Sequence, residues 1–142
     1  MWISTKGKNA VKVMIDLGIY IGSDPVKVKD IAKRQDISEK YLEQIIAMLN
    51  KAGLVRSIRG AKGGYMLNDS PDKYTAGMIL SAVEGDMSVV DGMGEVSENL
   101  TDIVSNRLWE KLDESVREVL DKVTLADLLE WHEAMFTDQY SI

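Results

Sequence analysis

Residues 38–67 read SEKYLEQIIAMLNKAGLVRSIRGAKGGYML, and the spacing of their apolar side chains changes from a helical period to an alternating one. Apolar residues three and four positions apart predict a helix over residues 38–52. Ser38 is a favourable N-cap residue, and Gly53 suits the end of this helix. After Gly53 the alternation indicates two short strands joined by a glycine-rich turn at residues 60–64, which together form a β-hairpin.

The segments before this stretch are predicted to be helical as well. Helical spacing indicates one helix over residues 6–21 and a shorter one over residues 26–35. Pro25 separates the two, because proline cannot continue a helix. Two short helices joined by a tight turn form a helix-turn-helix, and a basic hairpin directly after them makes a winged helix.

The second half of the chain is predicted to consist of helices. The pattern indicates a short helix at 75–84, a loop at 85–98 and a long amphipathic helix at 100–123. A last short helix starts at Thr124, since Thr124 and Asp127 match a capping box. The predicted fold class is therefore mainly α with a small β-hairpin.

Composition excludes most catalytic and metal chemistry. The 142 residues include no cysteine and one histidine, which excludes thiolate zinc sites, cysteine-ligated iron–sulfur clusters and cysteine nucleophiles. We assign no function to His132, because a triad or a metal site would depend on it alone. The acidic loop residues match no calcium-binding spacing, so a solvated loop is favoured there; they are Asp86, Asp91, Glu95 and Glu98. We expect no enzyme activity, no cofactor and no metal.

The sequence carries no signal for a membrane. It has no run of about 18 apolar residues, the length that a membrane-spanning helix needs. Residues 1–8 lack the apolar stretch and small-residue cleavage site of a signal peptide. We therefore expect a cytoplasmic protein with no membrane partner.

Charge divides the chain into two halves. Residues 1–70 carry 12 Lys and Arg against 7 Asp and Glu, whereas residues 71–142 carry 5 against 16. A basic half suggests a polyanion as partner, and an acidic half suggests a solvated or partner-binding region. Two differently solvated faces would produce the same division, so charge alone leaves both interpretations open.

The exposed face of the helix at 38–52 carries side chains suited to reading DNA. Lys40, Glu43 and Gln44 can reach base edges, and Ser38 and Tyr41 are suited to phosphate contacts. For this helix alone, an ordinary solvated face is the alternative. The preceding short helix, the basic hairpin and the charge division together favour binding to double-stranded DNA.

The hairpin offers a second set of DNA contacts, with charge from Arg59 and Lys62. Arg59 can enter a minor groove, where the negative potential attracts a guanidinium group. Gly60, Gly63 and Gly64 let the backbone approach phosphates closely, although a plain turn also needs glycine for its own geometry. A phosphate-binding P-loop is excluded, because the segment lacks G-K-[ST] and does not lead from a strand into a helix.

The long helix at 100–123 carries an apolar stripe formed by Val104, Leu108, Leu112, Val116 and Val119. Packing within one molecule and self-association both explain such a stripe. We favour a homodimer, because DNA readers of this type usually bind two half-sites as dimers. We therefore expect three parts: a winged helix-turn-helix DNA-binding domain at 1–70, a helical dimerisation region at 71–136 and a flexible C-terminal tail at 137–142.

Short motifs along most of the chain are shared with one family. They are Ser4-Thr5-Lys6-Gly7, Ile31-Ala32, Ile37-Ser38, Tyr41-Leu42-Glu43-Gln44, Gly53-Leu54-Val55, Arg59-Gly60, Gly63-Gly64-Tyr65, Ala82-Val83-Glu84-Gly85, Leu108-Trp109 and Thr124-Leu125. On these motifs the chain resembles the Rrf-type winged-helix transcription regulators. The resemblance implies a homodimer on palindromic operator DNA. It implies base reading by Glu43 and Gln44 with Lys40 beside them, a minor-groove contact by Arg59, and backbone contacts by Lys6 and Tyr41.

One departure from the family is as informative as the match. Cluster-binding members carry three cysteines in the loop before the Leu108-Trp109 pair, whereas residues 86–109 of this chain contain neither cysteine nor histidine. Within the family the chain is therefore most similar to the cysteine-metabolism repressor, which implies repression of cysteine or sulfur metabolism without an iron–sulfur cluster. A winged-helix adaptor for protein contacts and a repressor that directly binds a small effector remain alternatives.

The last residues, Tyr140, Ser141 and Ile142, extend the resemblance to a partner. A short tail ending in isoleucine is similar to the peptide by which serine acetyltransferase enters the active site of cysteine synthase. The resemblance therefore implies cysteine synthase as a partner, with the Ile142 carboxylate among the donors that hold the substrate's α-carboxylate. A frayed terminus is the alternative interpretation.

Overall fold

The computed structural model describes residues 3–140, with side chains described as far as residue 137. Its helices are α1 (Thr5–Ile19), α2 (Val28–Gln35), α3 (Glu39–Lys51), α4 (Ala76–Glu84), α5 (Leu100–Lys122) and α6 (Leu125–Tyr140), with a 3-10 turn at Pro71–Lys73. The strands β1 (Val55–Ile58) and β2 (Gly64–Leu67) form an antiparallel pair. The predicted fold class is confirmed: helices α1–α3 and the hairpin form a winged helix-turn-helix, and a long helix follows.

Side chains near the helix starts bind the free backbone N–H groups, as the sequence predicts. Ser38 Oγ accepts a hydrogen bond of 3.2 Å from the Tyr41 N–H and caps α3. At the start of α6 the Thr124 N–H donates to Asp127 Oδ2 at 2.9 Å, and the Asp127 N–H donates to Thr124 Oγ1 at 3.1 Å. This reciprocal pair is the predicted capping box.

The helix α2 begins two residues later than predicted, because Val26 joins the hairpin. The Val26 N–H donates to the Tyr65 carbonyl at 3.0 Å, and the Tyr65 N–H donates to the Val26 carbonyl at 2.8 Å. Pro25 and the β-branched Val26 both suit extended backbone. The pairing ties β2 to the chain just before α2.

One buried core joins the two halves of the chain. Leu42, Ile45 and Leu49 on the inner face of α3 are fully buried, which confirms the apolar face read from the sequence. The same cluster contains Ile79 from α4 and Leu125 from α6. The core therefore crosses the boundary expected at residue 70, and α4 and α6 support the winged helix directly.

The last helix is longer than the short one predicted from Thr124. It continues to Tyr140, so the backbone of residues 137–140, which the sequence analysis assigned to a flexible tail, is helical. Residues 130–136 read EWHEAMF and contain no glycine or proline that would end a helix. Ser141 and Ile142 lie outside the described residues.

Candidate nucleic-acid interface

The outer face of α3 is exposed and polar, whereas its inner face is buried. Lys40, Glu43 and Gln44 are exposed. Tyr41 is half-buried and packs against the core, which fixes its ring at the start of the helix. Ser38 already accepts the capping hydrogen bond, but its hydroxyl proton can still be donated to a phosphate. The structure therefore places four of the five predicted side chains on α3 and the fifth, Ser38, at its N-cap.

The hairpin β1–β2, called the wing below (residues 55–67), presents exposed charge at its tip. Arg59, Gly60 and Lys62 are exposed. Gly60 has φ +108, a left-handed conformation that favours glycine. The Lys27 Nζ donates to the Ala61 carbonyl at 3.2 Å, which places a further cation beside the turn. Lys27 was not among the predicted contacts.

The other two wing glycines have packing roles that restrict contact with DNA. Gly63 is buried, and a Cβ there would collide with the carbonyl oxygen of Ile58. A Cβ on Gly64 would collide with the carbonyl oxygen of Val26. Both positions need glycine for close backbone approach within the protein. The predicted approach of glycine to phosphate therefore fits the exposed Gly60 better than Gly63.

Lys6 lies near the start of α1, at a helix end anchored by a distant residue. The N–H and Oγ of Ser4 both donate to Glu84 Oε1, at 2.9 and 2.6 Å. Glu84 also packs against Gly7, where a Cβ would displace the Glu84 carboxylate. The motifs at residues 4–7 and 82–85, quoted separately from the sequence, thus meet in the fold. A carboxylate at a helix N-terminus is electrostatically favourable, so this contact anchors the turn of α1 that carries Lys6.

A buried ion pair that the sequence analysis missed joins α1 to α2. Asp16 is 1% exposed and accepts hydrogen bonds from Arg34 Nε and Nη2, at 3.0 and 2.9 Å. The Gln35 Nε2 donates to Asp16 Oδ2 at 3.0 Å, and the Arg34 guanidinium lies 4.3 Å from the centre of the Tyr20 ring. The hydrogen bond to Asp16 raises the pKa of Arg34. The sequence feature that could have revealed this pair is Asp16 itself, an acidic residue between the apolar Ile15 and Leu17.

The apolar stripe of α5 is largely uncovered. Val104, Leu108, Leu112 and Val119 are exposed, as are Leu100 and Ile103 from the first turn, which the sequence analysis left out. Val116 differs, because it is half-buried against Leu80, Met87 and Leu120 of its own molecule. Val116 therefore packs within the protomer, whereas the other four members each leave about half of their area uncovered.

The polar side of α5 carries pairs of opposite charge one turn apart. Arg117 Nε lies 2.7 Å from Asp113 Oδ2, and Lys122 Nζ lies 2.8 Å from Glu118 Oε1. The hydrogen bond to Asp113 raises the pKa of Arg117. Such pairs contribute little to stability, because solvent screens the interaction between exposed charges. Arg117, Glu118 and Lys122 face solvent, whereas Asp113 is largely covered and also accepts a hydrogen bond of 3.4 Å from the Val89 N–H.

A family model for Rrf2, described as an iron-dependent transcriptional regulator, matches residues 3–131. The chain belongs to the Rrf2 family of transcriptional regulators. The predicted resemblance to Rrf-type regulators is thereby confirmed, and the residues that carry it run through the winged helix and α5.

Individual Rrf2 relatives cover nearly the whole chain. The HTH-type transcriptional regulator CymR of Bacillus subtilis is 44% identical over 138 residues, which is 97% of this chain and 93% of CymR. The HTH-type transcriptional regulator IscR of Aliivibrio salmonicida is 38% identical over 130 residues, 91% of this chain and 77% of IscR. The predicted similarity to a cysteine regulator is supported by a solved structure described as CymR, the global cysteine regulator of B. subtilis. It matches with a TM-score of 0.82 and 44% identity over 92% of this chain and 98% of that chain. The structure of T. potens IscR matches with a TM-score of 0.79 and 43% identity over 95% of this chain and 90% of that chain.

The residues of this chain do not fit the iron that the Rrf2 family description implies. The chain contains no cysteine, and among the side chains described, those of residues 3–137, no group of three or more His, Asp or Glu is placed to hold a metal ion. The Asp86 carboxylate accepts hydrogen bonds from the N–H and Oγ of Ser88, which lower its pKa. This acid is therefore engaged within its own loop. In the same described range, no helix has the length and apolar character needed to cross a membrane.

Proposed function

We propose that this Rrf2-family regulator binds double-stranded operator DNA sequence-specifically, as a homodimer, and acts without an iron–sulfur cluster. The observation that carries the proposal is the division of α3 into a fully buried inner face and an outer face formed by Lys40, Glu43 and Gln44. Because the buried face fixes the helix in the protein, the helix can present three neighbouring side chains to base edges in a constant direction.

The predicted contacts then separate into three classes. Glu43 and Gln44 read bases, with Lys40 beside them, because Glu can accept from cytosine and Gln can form a bidentate pair with adenine. Lys6, Ser38, Tyr41 and Lys62 supply charge or hydrogen bonds at the edges of the interface, chiefly to phosphates. Arg59 enters the minor groove from the exposed tip of the wing, and Gly60 lets the backbone follow it.

The homodimer follows from the uncovered stripe of α5. Val104, Leu108, Leu112 and Val119 expose about half of their area each, from 45% to 60%. Contiguous apolar area of this kind marks an interaction site in a water-soluble molecule. A second copy offers the same stripe, and a twofold-symmetric contact between two α5 helices covers both. The operator would then be palindromic, with one half-site for each wing and α3.

The regulated process is inferred from the CymR relatives, whose structure is described as that of the global cysteine regulator of B. subtilis. We infer a cytoplasmic repressor of cysteine or sulfur metabolism with cysteine synthase as a partner at Tyr140, Ser141 and Ile142. The acidic second half of the chain supports a protein partner on that side. Titration of the full chain with cysteine synthase should show binding that is lost when Ile142 is deleted. Binding that survives this deletion would exclude the tail as the contact.

The test of DNA recognition starts from a pool of random duplexes. The wild-type protein is expected to enrich a palindromic duplex, called the selected duplex below. Affinity for it should fall steeply as salt rises, because contacts between cations and phosphates release counterions. The adaptor alternative predicts no enrichment, little dependence on salt and no effect of Arg59→Ala. These outcomes would remove the DNA-binding proposal.

A further inference from the structure

Tyr74 is a buried residue outside the predicted interface whose hydroxyl makes three hydrogen bonds. The side chain is 2% exposed. Its hydroxyl donates to the Leu54 carbonyl at 2.7 Å and accepts from the N–H groups of Asn68 and Asp69, at 2.9 Å each. A phenol has one proton and two lone pairs, so its bonding capacity is filled. Burial raises the pKa of Tyr74.

The three partners of this hydroxyl lie at the open end of the wing. Leu54 comes directly before β1, and Asn68 and Asp69 come directly after β2. The Asn68 side chain adds a bond of 2.6 Å to the Gly53 carbonyl. One phenolic oxygen therefore joins the two strands where the hairpin meets the rest of the protein, at the end opposite the Arg59 tip.

The backbone of Tyr74 is fixed to a different part of the fold. Its carbonyl accepts from the Leu125 N–H at 2.8 Å, and the Ala76 N–H donates to the Val123 carbonyl at 2.8 Å. Between these bonds Thr75 pairs with Thr124 as an antiparallel bridge. Tyr74 thus connects the base of the wing to the short segment between α5 and α6.

We propose that Tyr74 is a positioning residue for the wing. Its hydroxyl sets the direction of β1 and β2 relative to the α5–α6 connection, so that Arg59 at the tip meets the minor groove. A hairpin of two four-residue strands is too small to hold its own direction, because isolated two-stranded hairpins are marginally stable in water. This role rests on the proposed DNA-binding function, and Tyr74 itself makes no contact with DNA.

The test is a double-mutant cycle on the selected duplex. Tyr74→Phe keeps the ring and removes the three hydrogen bonds, so affinity should fall by about 5- to 10-fold. In an Arg59→Ala background the same change should cost less than about 2-fold, because the contact that it misplaces is already gone. In a Gln44→Ala background the full loss should persist. A merely structural role would give the same loss in both backgrounds.

Tyr20→Phe is the matched control, since it removes a hydroxyl from an exposed ring beside Arg34. It should leave affinity for the selected duplex unchanged. Amide hydrogen exchange of the wild-type protein is a second test, and it needs no variant that could fail to fold. The Asp69 amide, which donates to the Tyr74 hydroxyl, should be protected, and exchange at the rate of an unstructured peptide would overturn the proposal.

The outcomes separate this inference from the proposed function. If no duplex is enriched, or if Arg59→Ala leaves affinity unchanged, the DNA-binding role of the wing fails, and the role of Tyr74 fails with it. If Arg59→Ala behaves as expected but Tyr74→Phe has no effect, or has equal effects in both backgrounds, only the positioning role is overturned.

Discussion

The carboxylate of Asp16 holds the guanidinium of Arg34 through two hydrogen bonds, of 3.0 and 2.9 Å, in the interior between α1 and α2. Asp16 is buried, whereas the Arg34 side chain is one-third exposed. The pair fixes the first helix of the helix-turn-helix against α1, and α3 is then placed by the turn that follows. The orientation of the DNA-facing side chains therefore depends on a contact remote from them.

Removal of the Arg34 side chain should destabilise the fold. Arg34→Ala leaves the Asp16 carboxylate buried with one remaining donor, Gln35. Breaking a buried pair from one side typically costs about 3–5 kcal/mol, and the partial exposure of Arg34 favours about 2–3 kcal/mol here. Urea unfolding followed by circular dichroism measures this loss in the free energy of unfolding.

Lys33→Ala serves as the control for this variant, because Lys33 is the exposed neighbour on the same helix. Its effect should stay within about 0.5 kcal/mol. Equal stability of Arg34→Ala and Lys33→Ala would show that the Asp16–Arg34 pair does not stabilise α2.

Sequence periodicity predicted the helices and the hairpin because each has a buried face with a regular spacing. The buried face of α3, with Leu42 and Ile45, is the clearest case. The contacts that orient the site are different in kind. The Asp16–Arg34 pair joins residues that are 18 positions apart. The Tyr74 hydroxyl bonds to residues up to 20 positions away. No spacing rule links such partners, since their meeting depends on how the helices pack.

Base reading and phosphate contact predict different responses to DNA sequence. Gln44→Ala should cost about 1–3 kcal/mol on the selected duplex and little on a scrambled duplex of the same composition. Lys6→Ala should weaken binding to both duplexes by a similar factor and reduce the salt slope by about one. Fluorescence anisotropy titrations at several salt concentrations compare the two variants. If both respond alike to the two duplexes, the assignment of base reading to Gln44 is wrong.

The close approach of Gly64 to the Val26 backbone predicts a wing that does not tolerate alanine. Gly64→Ala places a Cβ against the Val26 carbonyl, so the bridge between Val26 and Tyr65 must open. Overpacking of this kind typically costs about 1–3 kcal/mol. Affinity for the selected duplex should fall together with the stability of the protein.

Gly85→Ala is the comparison for this variant. Gly85 has φ +77, but a Cβ there meets nothing within 4 Å. This substitution should cost only backbone strain, about 1–3 kcal/mol, and should leave the affinity of the folded protein unchanged. Unchanged affinity of Gly64→Ala, measured below its melting temperature, would mean that the Val26 pairing does not hold the wing for DNA binding.

A charge on the α5 stripe should separate the proposed homodimer. Leu112 is 45% exposed in the protomer, so Leu112→Asp disturbs little within one chain but buries an unpaired carboxylate between two. Sedimentation velocity should show monomers, and affinity for the selected duplex should fall by at least 100-fold, because each half-site is then bound alone.

The control is Arg117→Asp, on the side of the same helix that is opposite to the stripe. It changes the charge by more than Leu112→Asp does, yet it lies away from the apolar stripe and should leave the dimer intact. Dimers that persist in Leu112→Asp would place the contact elsewhere. Loss of dimers in both variants would indicate general charge repulsion between chains rather than an apolar contact. Because the net charge of the second half is already −11, only apolar burial along α5 is expected to offset this repulsion when two chains meet.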